Sequence, residues 1–186
     1  YHTTCLNPKV PVVPDGFLSL GVERRKGGGS RKSYVVWEEQ DVVPIFVLEV
    51  VSQTPGGEYD EKLAIYTKIG VKYYAIYNSK FWQRDGHLPL EVYKLEDGVY
   101  QLQIGEPFWM PDIGLGIGRC VLPSDPWGRE ILSWSDRRGD RYLTADERAE
   151  VEQQQANAER MRADAAQKQV ELLLARLRSL GISEAE

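Results

Sequence analysis

The chain has 186 residues, 42% of them apolar, which suits one packed domain with an appendage. A net charge of −5 argues against a strongly basic nucleic-acid clamp, although local basic patches stay open. Two cysteines, Cys5 and Cys120, stand far apart without CxxC spacing and give neither a zinc site nor a disulfide framework. No apolar run reaches the ~20 residues a membrane helix needs, and no signal-peptide pattern is present, so free thiols and a cytoplasmic location are expected.

In chain order, residues 1–13 suggest an extended lead-in, with Val10, Val12 and Val13 set between prolines. The chain begins with Tyr1 rather than Met, which predicts a processed or partial sequence. After Pro14-Asp15, the apolar Phe17, Leu18, Leu20 and Val22 predict a strand over 17–22. Residues 23–33, ERRKGGGSRKS, form a glycine-rich loop with Arg24, Arg25, Lys26, Arg31 and Lys32. It is read either as a solvated loop or as a phosphate-contacting one. A P-loop is excluded by the missing Gly-x-x-x-x-Gly-Lys-Ser/Thr spacing. Ser33–Glu38 reads as a short strand.

Residues 45–77, IFVLEVVSQTPGGEYDEKLAIYTKIGVKYYAIY, are the unit around which the rest is arranged. Ile45–Val51 is a continuous apolar and β-branched run, the mark of a strand covered on both faces. Glu49 interrupts it, and a carboxylate there loses hydration unless something pairs with it. Gln53–Glu58 reads as a loop, Asp60–Ile69 as a helix stopped at Gly70, and Val71–Tyr77 as a second apolar strand. Strand, helix and strand in about thirty residues predict a βαβ-like unit.

Residues 81–89 read as a loop. LEVYKLEDGVYQLQI, residues 90–104, is the clearest hairpin signal, with its turn at Glu96-Asp97-Gly98. Gly114-x-Gly116-x-Gly118 lacks the dinucleotide-binding spacing and predicts a backbone bend or an edge strand. Residues 126–141 read as a loop whose Trp127 and Trp134 dock onto the domain. Thr144-x-x-Glu147 has capping-box spacing, and the Pro- and Gly-free stretch after it predicts one long helix. Val151, Ala158, Ala165 and Leu172 recur every seven residues, while Gln154 and Lys168 interrupt the second seam position. Leu172, Leu173, Leu174, Leu177 and Leu180 give a firmer apolar end, closed by Gly181. The helix is read as a self-association element, with a solvated arm or a partner-binding arm as alternatives. The expected division is a domain over 1–143 and a long helix over 144–186.

Asp15, Glu49 and Lys62 stand out as polar exceptions. If the strands carrying Asp15 and Glu49 are neighbours, two carboxylates converge, and oxygen ligands of that kind are what Mg²⁺ takes. A lysine beside them can orient or deprotonate a water that attacks phosphorus. The purely structural alternative has Asp15 capping a turn, Glu49 paired with an arginine and Lys62 solvated on its helix.

VVPDGFLSLGV around Asp15, SYVVWEE at 33–39, IFVLEVVS at 45–52, the D-x-K-x-x-x-Y of Asp60, Lys62 and Tyr66, and GVKYYAIY at 70–77 occur in one order and spacing. Together, over roughly residues 14–121, they resemble the Uma-two family of restriction-endonuclease-like proteins, abundant in cyanobacteria and part of the PD-(D/E)XK nuclease superfamily. The charged helix after the domain is also similar to the tails of cyanobacterial members. The resemblance implies an α/β fold, a restriction-endonuclease-like mixed sheet flanked by helices with a long C-terminal helix. It implies a Mg²⁺- or Mn²⁺-dependent endonuclease acting on DNA, with Asp15 and Glu49 as metal ligands. Asp15 matches the Pro-Asp motif; Glu49 and Ser52 match the Glu-Val-x-Ser motif. Lys62 stands in for the Glu-x-Lys lysine, whose usual place holds Val51. Gln53 and Tyr66 are expected to support the site. A second family aspartate is replaced, since Pro44 is followed by Ile45, and an N-terminal segment with a candidate glutamate is expected ahead of Tyr1. These departures keep a second reading open: a catalytically inactive nuclease fold that assembles as a homo-oligomer through residues 144–180.

Overall fold

A computed structural model describes residues 11–25, 29, 33–54 and 56–179. Cys5, Lys26, Arg31, Lys32, Leu180 and Gly181, and the lead-in before residue 11, lie outside the described residues. The chain divides into two compact units, Tyr1–Arg141 and Tyr142–Glu186.

The first unit is a mixed α/β fold. Its main sheet has five strands in the order of the chain: β1 (Gly16–Leu18), β2 (Phe46–Val50), β3 (Tyr73–Tyr77), β4 (Leu90–Glu96) and β5 (Val99–Gln103). β2 and β3 run parallel, and the other neighbours are antiparallel. A parallel pair needs a crossover, and helix α1 (Glu61–Ile69) supplies it, ending at Gly70. All five residues of β3 are buried, which explains why these strands are apolar without alternation.

The two faces of the sheet have different covers. Val47, Tyr74 and Ile76 point to the α1 side and pack with Tyr66, Val71 and Tyr100. Phe46, Tyr73, Ala75 and Val92 point the other way and meet Met110 and Ile117. Those two belong to a three-stranded antiparallel sheet made of β6 (Phe108–Met110), β7 (Leu115–Val121) and β8 (Glu130–Ser135). The β4–β5 turn takes positive φ at Asp97 (49°) and Gly98 (79°), the two-residue geometry that Asp-Gly favours.

Several expectations change. The first strand stops at Leu18 instead of continuing to Val22. Ser33–Glu38 is not a strand. Tyr34 and Val36 bury as alternating strand residues would, but Glu38 N–H donates to Val35 O and Asp41 N–H to Val36 O. The backbone closes on itself as a 3-10 turn over Val36–Glu39. The glycine run lies in β7, the central strand of its sheet rather than an edge. A Cβ on Gly118 would sit 2.9 Å from Pro107 Cβ, so the glycine serves close backbone packing. Residues 130–135 form a strand, and Trp134 meets Phe46 edge-on at 5.5 Å. Trp127 does not dock: it is 77% exposed, with Arg129 over its ring.

In the first unit, residues 81–89 are not all loop as expected: Trp82–Asp85 form a one-turn helix, α2, ended by Gly86 in the left-handed region. In the second unit, α3 (Ala145–Ser179) runs 35 residues with none buried. Its start is a reciprocal cap: Thr144 N–H donates to Glu147 Oε2 at 2.8 Å and Glu147 N–H to Thr144 Oγ1 at 3.2 Å.

Candidate active site

β1 lies against β2 with Gly16 opposite Leu48 and Phe17 opposite Val47. Continuing that antiparallel register by one residue sets Asp15 opposite Glu49. Phe17 and Val47 both pack on the α1 side, and side chains two residues apart on a strand share a face. The two carboxylates therefore face α1 from adjacent strands. Asp15 is exposed, and its Oδ2 accepts the Val50 N–H at 2.7 Å. That bond ties the end of β1 to β2 beyond the last ladder pair.

Glu49 is 1% exposed. Burying a carboxylate in an apolar sheet is costly unless it is paired and hydrogen-bonded, and α1 provides both partners. Lys62 Nζ donates to Glu49 Oε2 at 2.8 Å, and the Tyr66 hydroxyl donates to Oε1 at 2.6 Å. Lys62 and Tyr66 are four residues apart, one helical turn, so both reach the same strand residue. The cation is thus Lys62 rather than an arginine, and it is largely withdrawn from solvent.

The structure adds a residue that sequence reasoning passed over. Glu58, 5% exposed, places Oε1 3.5 Å from Lys62 Nζ, and its Oε2 accepts the Gly56 N–H at 2.8 Å. The Tyr74 hydroxyl donates to its backbone carbonyl at 2.7 Å. The four-residue spacing of Glu58 and Lys62 was the available signal; reading 53–58 as loop hid it. Asp60, the acid of D-x-K-x-x-x-Y, is instead the exposed residue preceding α1. Ser52 Oγ donates to Thr54 O at 2.7 Å, a local turn bond. Gln53 gives its backbone carbonyl to Arg84 at 3.2 Å.

One ammonium therefore stands among Glu49, Glu58 and the nearby Asp15. Burial raises the Glu49 pKa above the usual carboxylate range, more than Lys62 and Tyr66 lower it, and the Asp15 charge pushes the same way. Burial alone would depress Lys62, but Glu49 and Glu58 outweigh it and hold the ammonium above its ordinary pKa. Tyr66 is raised too, by burial and then by Glu49. Burial dominates at Glu49, whereas at Lys62 the two facing carboxylates together outweigh burial. Lys62 is a charged donor at neutral pH, which suits orienting a water or an anion and not removing a proton.

Among the described residues, no group of three or more His, Cys, Asp or Glu side chains is placed to hold a metal ion. Mg²⁺ commonly uses one or two carboxylates and fills the rest of its octahedron with water and phosphate oxygens. Two carboxylates facing one way from adjacent strands, with negative charge in excess, fit that donor set. No helix among the described residues is long and apolar enough to cross a membrane.

Comparison with curated proteins and with solved structures gives no match. The sequence model of the Uma2 family, described as "Putative restriction endonuclease", matches residues 3–119, which is more than half of the chain and contains Asp15, Glu49, Glu58, Lys62 and Tyr66. The chain belongs to the Uma2 family.

Proposed function

We propose that the domain is a Mg²⁺- or Mn²⁺-dependent endonuclease that hydrolyses phosphodiester bonds of DNA in the cytoplasm. The observation that carries this reading is the opposition of Asp15 and Glu49 on one sheet face with Lys62 bonded to Glu49, in a chain of a restriction-endonuclease family. Asp15 and Glu49 would hold the metal, which when bound lowers the pKa of a water and offsets charge on the phosphoryl oxygens. Lys62 would hold the attacking water, or a phosphate oxygen, by a charged N–H donor. Tyr66 fixes the Glu49 carboxylate by its hydroxyl donation to Oε1. The acidic surroundings disfavour a bare phosphate, so DNA binding is expected to depend on the cation.

The test is cleavage of plasmid and linear DNA with Mg²⁺, Mn²⁺ or chelator, comparing wild type with Glu49→Ala. Metal-dependent cleavage lost in the variant supports the reading; equal cleavage by both refutes it.

A second reading has its own observation. Both Glu49 oxygens already have protein partners, and Val51 occupies the usual lysine place. On that reading the fold is catalytically inactive and acts in assembly, forming a homo-oligomer through α3. Exposed Val170, Leu172, Leu173 and Leu177 near the end of α3 support self-association under either reading.

A further inference from the structure

We infer that the segment joining β3 to β4, residues 78–89, is a brace that sets Glu58 against Lys62, with His87 as its positioning residue. The inference deepens the nuclease reading, and only the activity arm of its test depends on that reading.

The loop after β2 carries Glu58, and the β3–β4 segment grips that loop at two places. Near the loop's start, Arg84 Nη1 donates to the Gln53 carbonyl at 3.2 Å. At its end, the Tyr59 ring stacks on the His87 ring with centroids 3.5 Å apart and planes within 4°. The Tyr59 hydroxyl also accepts from Asn78 Nδ2 at 3.2 Å. Tyr59 adjoins Glu58, so displacing its ring moves the backbone that aims the Glu58 carboxylate.

The gripping residues are themselves fixed. Asn78 is fully buried; its Nδ2 also donates to Asp85 Oδ2 at 3.0 Å, and its Oδ1 accepts the Phe81 N–H at 2.8 Å. His87 Nδ1 lies 3.1 Å from Glu91 Oε1, an oxygen that also accepts the Leu88 N–H at 2.9 Å. Glu91 is 4% exposed, sits on β4 opposite Ile76 of β3, and its other oxygen takes the Tyr93 hydroxyl in a short bond. The main sheet is thus linked through Glu91 to His87, through the stacked rings to Tyr59, and through the backbone to Glu58. The contact at the end of this chain, Glu58 to Lys62, is the longest of its polar contacts, at 3.5 Å. An ion pair of that length is the one most readily lost when its loop shifts.

The test reads Lys62 directly. A brief pulse of acetic anhydride acylates free amines, and mass spectrometry compares Lys62 with Lys72, which pairs with Asp112 away from the loop. Losing the Glu58 ion pair in Glu58→Gln should leave the Lys62 amine more accessible and raise its acylation about threefold. His87→Ala should raise Lys62 acylation by a similar factor, and His87→Phe, which keeps a stacking ring, should return it close to wild type. Lys72 should not change in any variant. The brace is overturned if His87→Ala leaves Lys62 at the wild-type rate, if Glu58→Gln does so, or if Lys72 rises in step with Lys62. In the activity arm, His87→Ala should lower kcat about tenfold or more with KM unchanged, as displaced catalytic groups do. Absence of cleavage by wild type with either metal refutes the nuclease reading, and acylation then decides the brace by itself.

Discussion

Tyr66→Phe isolates one bond in the centre of the site. The Tyr66 ring is 1% exposed and packs in the core with Val47 and Tyr74, so the phenylalanine keeps its volume and opens no cavity. What is lost is the 2.6 Å hydroxyl donation to Glu49 Oε1. A hydrogen bond to a buried charged group contributes about 1.5–3 kcal/mol, and an unsatisfied carboxylate oxygen keeps its desolvation cost. We expect a loss of about 2 kcal/mol at pH 7 in chelator. With a urea m-value of about 2 kcal/mol per M, the midpoint falls by about 1 M. In a Glu49→Gln background the same hydroxyl meets a neutral acceptor, and its removal should cost only about 1 kcal/mol. The difference between the backgrounds is the coupling energy of the pair. A loss below about 0.5 kcal/mol in wild type, or an equal loss in both backgrounds, would show that the phenol does not satisfy Glu49 and that the account of its burial is wrong.

Three further outcomes are expected. Asp15→Asn should weaken Mg²⁺ binding about tenfold in calorimetric titration, the effect of removing one of two charged ligands; equal affinity would remove Asp15 from the metal site. Glu49 has its pKa raised in the folded state, so the native protein binds the extra proton and stability without metal should fall as pH rises through that value. Glu49→Gln should flatten this dependence and stabilise the protein in chelator above it; a marked drop in Tm would make Glu49 a structural ion-pair partner. Deleting residues after Val170 should shift sedimentation from oligomer toward monomer with the domain still folded, because leucines bury more area than the alanines at 158 and 165 at ~25 cal/mol per Å². A monomeric full-length protein at high micromolar concentration would contradict α3 self-association.

The sheet was legible where the physics is local. Buried parallel strands must be apolar throughout, and Phe46–Val50 and Tyr73–Tyr77 are, apart from Glu49. Asp97-Gly98 fixes a hairpin by its backbone preference, and Thr144 with Glu147 marks a helix start. Lys62 and Tyr66 could be put on one helix face from their spacing. Glu58 could not be placed, because its role depends on how Gly56, Gly57 and Tyr74 fold the loop back beneath α1. Asp15 and Glu49 are separated by a long connection, and only strand pairing decides that they share a face. Tyr34–Val36 shows the converse limit: its inward and outward alternation is real, yet the backbone bonds that separate a strand from a 3-10 turn leave no mark in that pattern.

The two carboxylates are anchored with very different firmness. Glu49 sits in a strand laddered on both sides, in the buried interior of the sheet. Asp15 precedes a strand of three residues at the sheet margin, held by a short ladder and its own side-chain bond to Val50. Fraying of that margin is a local event of low free energy, and it would carry Asp15 away while Glu49, Lys62 and Tyr66 kept their places. Completeness of the constellation therefore depends on how firmly β1, the shortest strand of the main sheet, is held at its edge.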